Sequence, residues 1–375
     1  MPSSASRRHF LAVGAALLAA PLLPGFAFAA PTNAQKAAKL YRKAIVIDGN
    51  LVPPLDSEGP LPPADAALVK GSGLTAIKAT LGGSKSTYAQ AEEMITGYDA
   101  GIVKSADLYR RIDTIADIHA AKREGKVGVI FSFESADMFE GKVDNIDHFA
   151  KRNVRVMQLS YNTASPFGSG VMSPQPSAGL TDLGRQAVER MNKLGVTLDL
   201  SHSDEPTTLD AIKATRKTPL VTHAGCSAVY AHPRNKSDKV LRALAERGGV
   251  VGLYELSFIS AGPAQQSIDE YLAHVLHALK ICGEDHVGIG SDAIMTPFDT
   301  SPESMAAWNK DIEERKRTGV GAPGEGRPPF VEGLNRADRS LVIAEKLLDR
   351  GVSERAVEKI LGENFLRVFK ETWAV

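Results

Sequence analysis

Short apolar runs recur along this chain, each followed by a longer stretch in which apolar positions repeat every three or four residues. The runs cover 44–47, 74–80, 127–133, 154–159, 196–200, 219–222, 250–253 and 287–289. Such runs suit strands buried on both faces of a parallel sheet, and the intervening stretches suit crossover helices. Helices are expected at 33–41, 64–70, 88–108, 112–122, 146–152 and 268–281, the last opened by a capping box of Ser267 and Glu270. Thr181 and Ser237 are N-caps for two more, reaching Asn192 and Glu246. Amphipathic helices at 335–349 and 353–361 and a turn at 364–370 close the chain. Strands alternating with helices in this count predict an α/β fold, a (β/α)8 TIM barrel with added C-terminal helices, as a single domain over 30–375. A doubly wound open sheet is the alternative, but no Gly-rich phosphate loop follows the first strand. Gly- and Pro-rich stretches at 165–179 and 319–329 are read as loops.

The first 29 residues read as a targeting segment. Arg7 and Arg8 precede a largely apolar stretch to Ala30, and Ala27-Phe28-Ala29 gives a small-x-small cleavage pattern. The run from Ser6 to Leu11 resembles a twin-arginine signal, which implies periplasmic export of an already folded protein. Pro21, Pro24 and Gly25 interrupt the apolar stretch and argue against a stable membrane anchor. Composition narrows the classes further. A hydrophobic fraction of 43% is that of a globular protein, and 44 basic against 44 acidic residues give no electrostatic case for nucleic acid. Cys226 and Cys282 are too few for a disulfide framework, although one bridge is open. A homodimer is compatible with the chain.

A barrel gathers its strand ends at one mouth, and four metal-capable residues fall there: Glu134 after strand three, His202 after five, His223 after six and Asp292 after eight. Two imidazoles and two carboxylates make a mononuclear metal set, or most of a binuclear one, suited to a zinc-class ion. Such an ion acidifies a water, and a neighbouring carboxylate can take the proton. Each carboxylate has a plainer reading, as an acceptor for loop N–H groups. Arg234, in His232-Pro233-Arg234-Asn235, either clamps a substrate carboxylate or makes a loop salt bridge. Cys226 reads as a small buried filler, although it lies close enough to His223 in sequence to approach a metal. His232 reads as structural, and His286, at the entrance of strand eight, should face the opposite end.

With LDLSH ending at His202, PLVTHAG around His223, HPRN around Arg234, HVGIGSD ending at Asp292 and GENFLRVF near the end, the chain resembles the membrane (renal) dipeptidase family of metallopeptidases. The resemblance runs from about Val46 to Phe369. It implies that His202 and His223 hold one zinc, that Glu134 bridges to a second, that Asp292 moves a proton near the metals, and that Arg234 binds the substrate's C-terminal carboxylate. Two positions depart from the family pattern. The strand-one motif Asp-Gly-His-x-Asp reads Asp48-Gly49-Asn50-Leu51-Val52 here, so Asn50 and Val52 replace two ligands of the second zinc. Tyr161 stands where the family has a histidine that steadies the substrate carbonyl, and a phenol can donate in its place. The expectation is therefore a metal-dependent hydrolase of dipeptides or similar small substrates, with one Zn2+ held by His202, His223 and Glu134 and a second ion weak or absent. Asp292, a further candidate ligand, would be general base and Tyr161 the oxyanion donor. A hydrolase of a different small amide metabolite, and a catalytically silent metal- or peptide-binding protein, remain as alternatives.

Overall fold

Eight parallel strands close into a ring in the computed structural model, which describes residues 31–55 and 57–374. The ring runs from β1 (Ile47–Asp48) to β2 (Ala76–Thr80), β3 (Val127–Phe133), β4 (Val154–Gln158) and β5 (Thr197–Asp199). It continues through β6 (Leu220–Ala224), β7 (Val250–Leu253) and β8 (Val287–Ile289), and β8 pairs with β1 through Asp48 and Ile289. Helices fill the crossovers, which makes this the expected (β/α)8 barrel with extra C-terminal helices. The expected leader at 1–29 lies outside the described residues. Among the described residues no helix is long and apolar enough to cross a membrane.

Local chemistry explains most boundaries. Every residue of β3 is buried, as a continuous apolar run requires. The Ser267–Glu270 capping box opens helix Ile268–Cys282, and Thr181 and Ser237 cap their helices as the sequence suggests. Two elements differ from expectation. Tyr109–Arg111, in a stretch flanked by expected helices, pairs with β3 outside the ring, because Tyr109 is buried there while the arginines stay half-exposed. Helix Pro302–Arg317 has a Ser301 cap and Pro302 in its first turn, but Ile312 is its single buried residue. It therefore carries almost no amphipathic signal.

The two mouths of the barrel differ. At the N-terminal mouth the strand-start residues Ile47, Ala76, Leu220 and Val250 pack with Phe365, Phe369 and Trp373 of helix Asn364–Trp373. Trp373 Nε1 donates to Thr197 Oγ1 at 3.1 Å, tying the plug to the start of β5. Each buried aromatic there contributes roughly 2–3 kcal/mol. The apolar plug seals that end, and the polar strand ends are left at the other.

Candidate metal centre

The site begins with a distortion in β6. Its register to β7 shifts between Val221 and Ala224, so His223 lies within the strand rather than just after it. The His223 amide donates to Ser201 Oγ at 3.1 Å instead of to the ladder. The Thr222 carbonyl turns into the space between β7 and β8. A Cβ at Gly252 would lie 2.0 Å from that oxygen and one at Gly290 1.8 Å from it, so only glycine permits the approach.

Buried polar groups fix both imidazoles. Thr222 Oγ1 gives its proton to Asp199 Oδ2 at 2.6 Å and so must accept from His223 Nδ1, 2.9 Å away. The Asp199 carboxylate also takes the Ser201 hydroxyl, the Ser201 and Thr222 amides and the Gln158 side chain, which holds it in place. Asn162 Nδ2 donates to the Val320 carbonyl at 2.9 Å, which turns its Oδ1 toward His202 Nδ1 at 2.8 Å. Both Nδ1 atoms therefore carry the proton, and the two Nε2 lone pairs face each other 3.0 Å apart. Two lone pairs so placed repel unless a cation lies between them. Burial first, and the Arg234 charge second, keep both rings well below the usual histidine pKa, as neutral ligands.

The carboxylates are held in the same way. Asn50 Nδ2 donates to Glu134 Oε1 and to Asp292 Oδ1, both at 2.7 Å. Thr80 Oγ1 adds a second bond to Glu134 Oε1 at 2.7 Å. The other oxygens face the imidazoles: Glu134 Oε2 is 3.9 Å from His202 Nε2, and Asp292 Oδ2 is 4.0 Å from His223 Nε2. Asn50 thus enters the site through its amide nitrogen, while its oxygen lies 3.3 Å from the Thr80 hydroxyl, whose proton goes to Glu134. Asp48 sets this register, since its Oδ1 takes the amides of Asn50 and of Ser291, each at 3.0 Å. Asp292 adopts φ of 53°, a left-handed conformation that Asp tolerates better than most residues. Beneath them Lys78, fully buried on β2, lies 4.0 Å from Glu134 and 3.9 Å from Asp199, a fixed positive charge under the carboxylates.

Glu134, His202 and His223 present ligand atoms that all lie within 4.8 Å of one another and form a metal-binding site. Two facing imidazole nitrogens and one free carboxylate oxygen suit a divalent cation. Burial, and then the neighbouring Glu134 charge, pushes Asp292 above the usual carboxylate range. A cavity of about 310 Å³ opens over the centre, lined by the polar residues Tyr161, His202, Arg234 and Asp292 and by the apolar Val52, Ile294 and Trp308.

The remaining sequence candidates divide between the site and the scaffold. Tyr161 stacks on the His202 ring, centroids 4.1 Å apart. Arg234 is 1% exposed, donates to the Ser201 carbonyl at 2.6 Å and lies 3.3 Å from His202 Nε2. Neither Arg234 contact is a loop salt bridge. Cys226 is buried with its thiol directed at the His274 carbonyl, away from the centre. His232 stacks on Phe258 and contacts the Pro323 carbonyl, and His286 contacts the Gly249 carbonyl at the start of β7. Sequence reasoning missed Asp199, Thr222, Asn162 and Lys78. The acid and the amine inside apolar runs were a usable signal, because neither can be buried without partners.

A match to membrane dipeptidase (Peptidase family M19) covers residues 34–309 and 315–375. An uncharacterized dipeptidase of Schizosaccharomyces pombe is 27% identical over 261 residues, 68% of this chain and 55% of its own length. The aligned region is thus about half of that relative. A Klebsiella pneumoniae protein described by its place 5′ of pqqA is 29% identical over 283 residues, 72% of this chain and 92% of its own. Among solved structures, an amidohydrolase from Pseudomonas aeruginosa superposes with a TM-score of 0.75 at 28% identity, covering 90% of this chain and 99% of its own.

Proposed function

Since the chain belongs to the membrane dipeptidase family, peptidase family M19, we propose that it is a metal-dependent hydrolase cleaving the amide bond of a dipeptide or a similar small substrate. The observation that carries this reading is the pair of Nε2 atoms facing each other at 3.0 Å beside Glu134, with both Nδ1 protons committed elsewhere. His202, His223 and Glu134 Oε2 would hold the ion, and zinc suits this nitrogen-rich set. A divalent ion supplies Lewis acidity there, polarising a carbonyl and acidifying a water. One ion is favoured over two. The Asn50 amide lies between the carboxylates that a second ion would need, and Val52 has no donor atom.

The chain's own residues supply the rest. Asp292 Oδ1 is tied to Asn50, which leaves Oδ2 to accept a proton from the attacking water and pass it to the departing amine nitrogen. Its raised pKa suits both halves of that transfer. Tyr161 donates its phenolic proton to the carbonyl oxygen as charge develops there. Arg234 lies on the cavity wall with N–H donors beyond the one given to the Ser201 carbonyl, and these would bind a substrate carboxylate. Val52, 49% exposed in the same cavity, favours a second reading in which the substrate is a small amide with an apolar group rather than an ordinary dipeptide. Export to the periplasm by the twin-arginine route is supported by Arg7-Arg8 and the Ala27-Phe28-Ala29 pattern.

Metal analysis of the purified chain, run beside a hydrolysis assay on dipeptides and N-acyl amino acids and repeated on His202→Ala, tests these readings. One ion per chain with turnover, both lost in the variant, is expected. An ion without turnover of any amide would point to a binding protein, and neither ion nor turnover would remove the hydrolase reading.

A further inference from the structure

We propose that Arg315 is a positioning residue that acts through Tyr161, holding the phenol so that its proton is presented to the substrate's carbonyl oxygen; this rests on the hydrolase reading above. Arg315 lies in the last turn of helix Pro302–Arg317 and reaches over the cavity. Its Nη2 donates to the Tyr161 oxygen at 3.4 Å, and its Nε donates to Glu325 Oε1 at 2.8 Å. Glu325 is itself fixed, because its Oε2 accepts the Ala322 amide at 3.1 Å. The guanidinium is therefore anchored on one edge and offered to the phenol on the other.

A phenol oxygen that accepts from a guanidinium keeps its own proton for a different partner. Among the described residues no protein acceptor for that proton accompanies the Arg315 contact, and Tyr161 lines the cavity together with Asp292 and His202. Stacking on His202 fixes the ring plane, so the proton has little choice of direction except into the cavity. The positive charge behind the oxygen makes the O–H a stronger donor, because a hydrogen bond received from a cation polarises the one given. At 3.4 Å the resting contact is loose, and it shortens when the phenol gives its proton to a developing oxyanion. Arg315 touches neither the reacting carbonyl nor the ion in this scheme.

The test uses the zinc-loaded full chain, a dipeptide substrate, and a phosphinate isostere of that dipeptide whose charged oxygen stands for the tetrahedral oxyanion. Tyr161→Phe should lower kcat roughly a hundredfold and Arg315→Gln roughly tenfold, each with KM changed by less than about twofold. Phosphinate affinity should fall by about the same factors while affinity for the product amino acids holds. The double variant should be no slower than Tyr161→Phe alone, and Arg315→Lys should recover part of the loss. Should Arg315→Gln melt early, Glu325→Gln, which frees the guanidinium without removing it, must shift kcat and phosphinate affinity in the same direction. Unchanged kcat in Arg315→Gln, or losses that multiply in the double variant, would overturn the role of Arg315 and leave the hydrolase reading standing. A wild-type chain that neither cleaves an amide nor binds the phosphinate would sink both.

Discussion

Thr222 passes its hydroxyl proton to Asp199 at 2.6 Å and takes the Nδ1 proton of His223 at 2.9 Å. This one-way relay keeps the His223 Nε2 lone pair free to ligate. Thr222→Val preserves shape but removes the acceptor, leaving the imidazole free to choose the other tautomer. Metal affinity should fall by about 10- to 100-fold, read by competition with a chelator of known affinity. An affinity equal to wild type would mean that Asp199 and Thr222 only fill space.

The Asn50 bridge makes a second expectation concrete. Replacing Asn50 with His and Val52 with Asp together restores the ligand types of the family's strand-one motif at the mouth. Bound zinc should rise from one ion per chain toward two, measured by elemental analysis after dialysis. Asn50→Ala alone should not raise the count, because it removes a donor from Glu134 and Asp292 without adding a ligand.

Glu255, after β7, is wholly buried beside Arg339, with 3.4 Å between their charged groups. Burial, only partly offset by Arg339, raises its pKa from the ordinary 4.5 to about 7. Between those values the folded chain holds a proton that the unfolded chain has released. The stability from this group is therefore full below about pH 4.5 and is lost as pH rises through about 7. The effect is on the order of 3 kcal/mol across the window. Melting curves from pH 4 to 8 should slope downward in this part, and Glu255→Gln should flatten that slope.

Gly290→Ala should be the most damaging small change near the centre, because its Cβ would lie 1.8 Å from the Thr222 carbonyl. Backbone cannot yield as a side chain does, so a loss of about 3 kcal/mol in urea denaturation is expected, with metal affinity falling alongside. An alanine variant as stable as wild type would show that β6 and β8 can separate freely.

The sequence made the barrel legible because most of its strands are largely apolar runs bounded by turn residues, such as Val127–Phe133, whose boundaries match the structure. Tyr109–Arg111 was not legible, since three residues with two arginines carry no strand period and their pairing with β3 comes from tertiary contact. Helix Pro302–Arg317 was hidden because nearly every side chain on it meets solvent or the cavity, not a core. At the centre, His202, His223 and Glu134 could be found from strand ends alone. Asn162 could not, because its role depends on a carbonyl at Val320, far along the chain. The same holds for Arg315, which meets Tyr161 only through folding.

The amide of Asn162 has one hand on His202 and the other on Val320, in the segment that follows helix Pro302–Arg317. Occupancy of the centre and seating of that segment are therefore linked quantities. To whatever extent the seated segment tightens the hold on an ion, the ion must by the same free energy favour the seated segment. Chelation should then be felt tens of residues from any ligand, as faster amide exchange around 318–326.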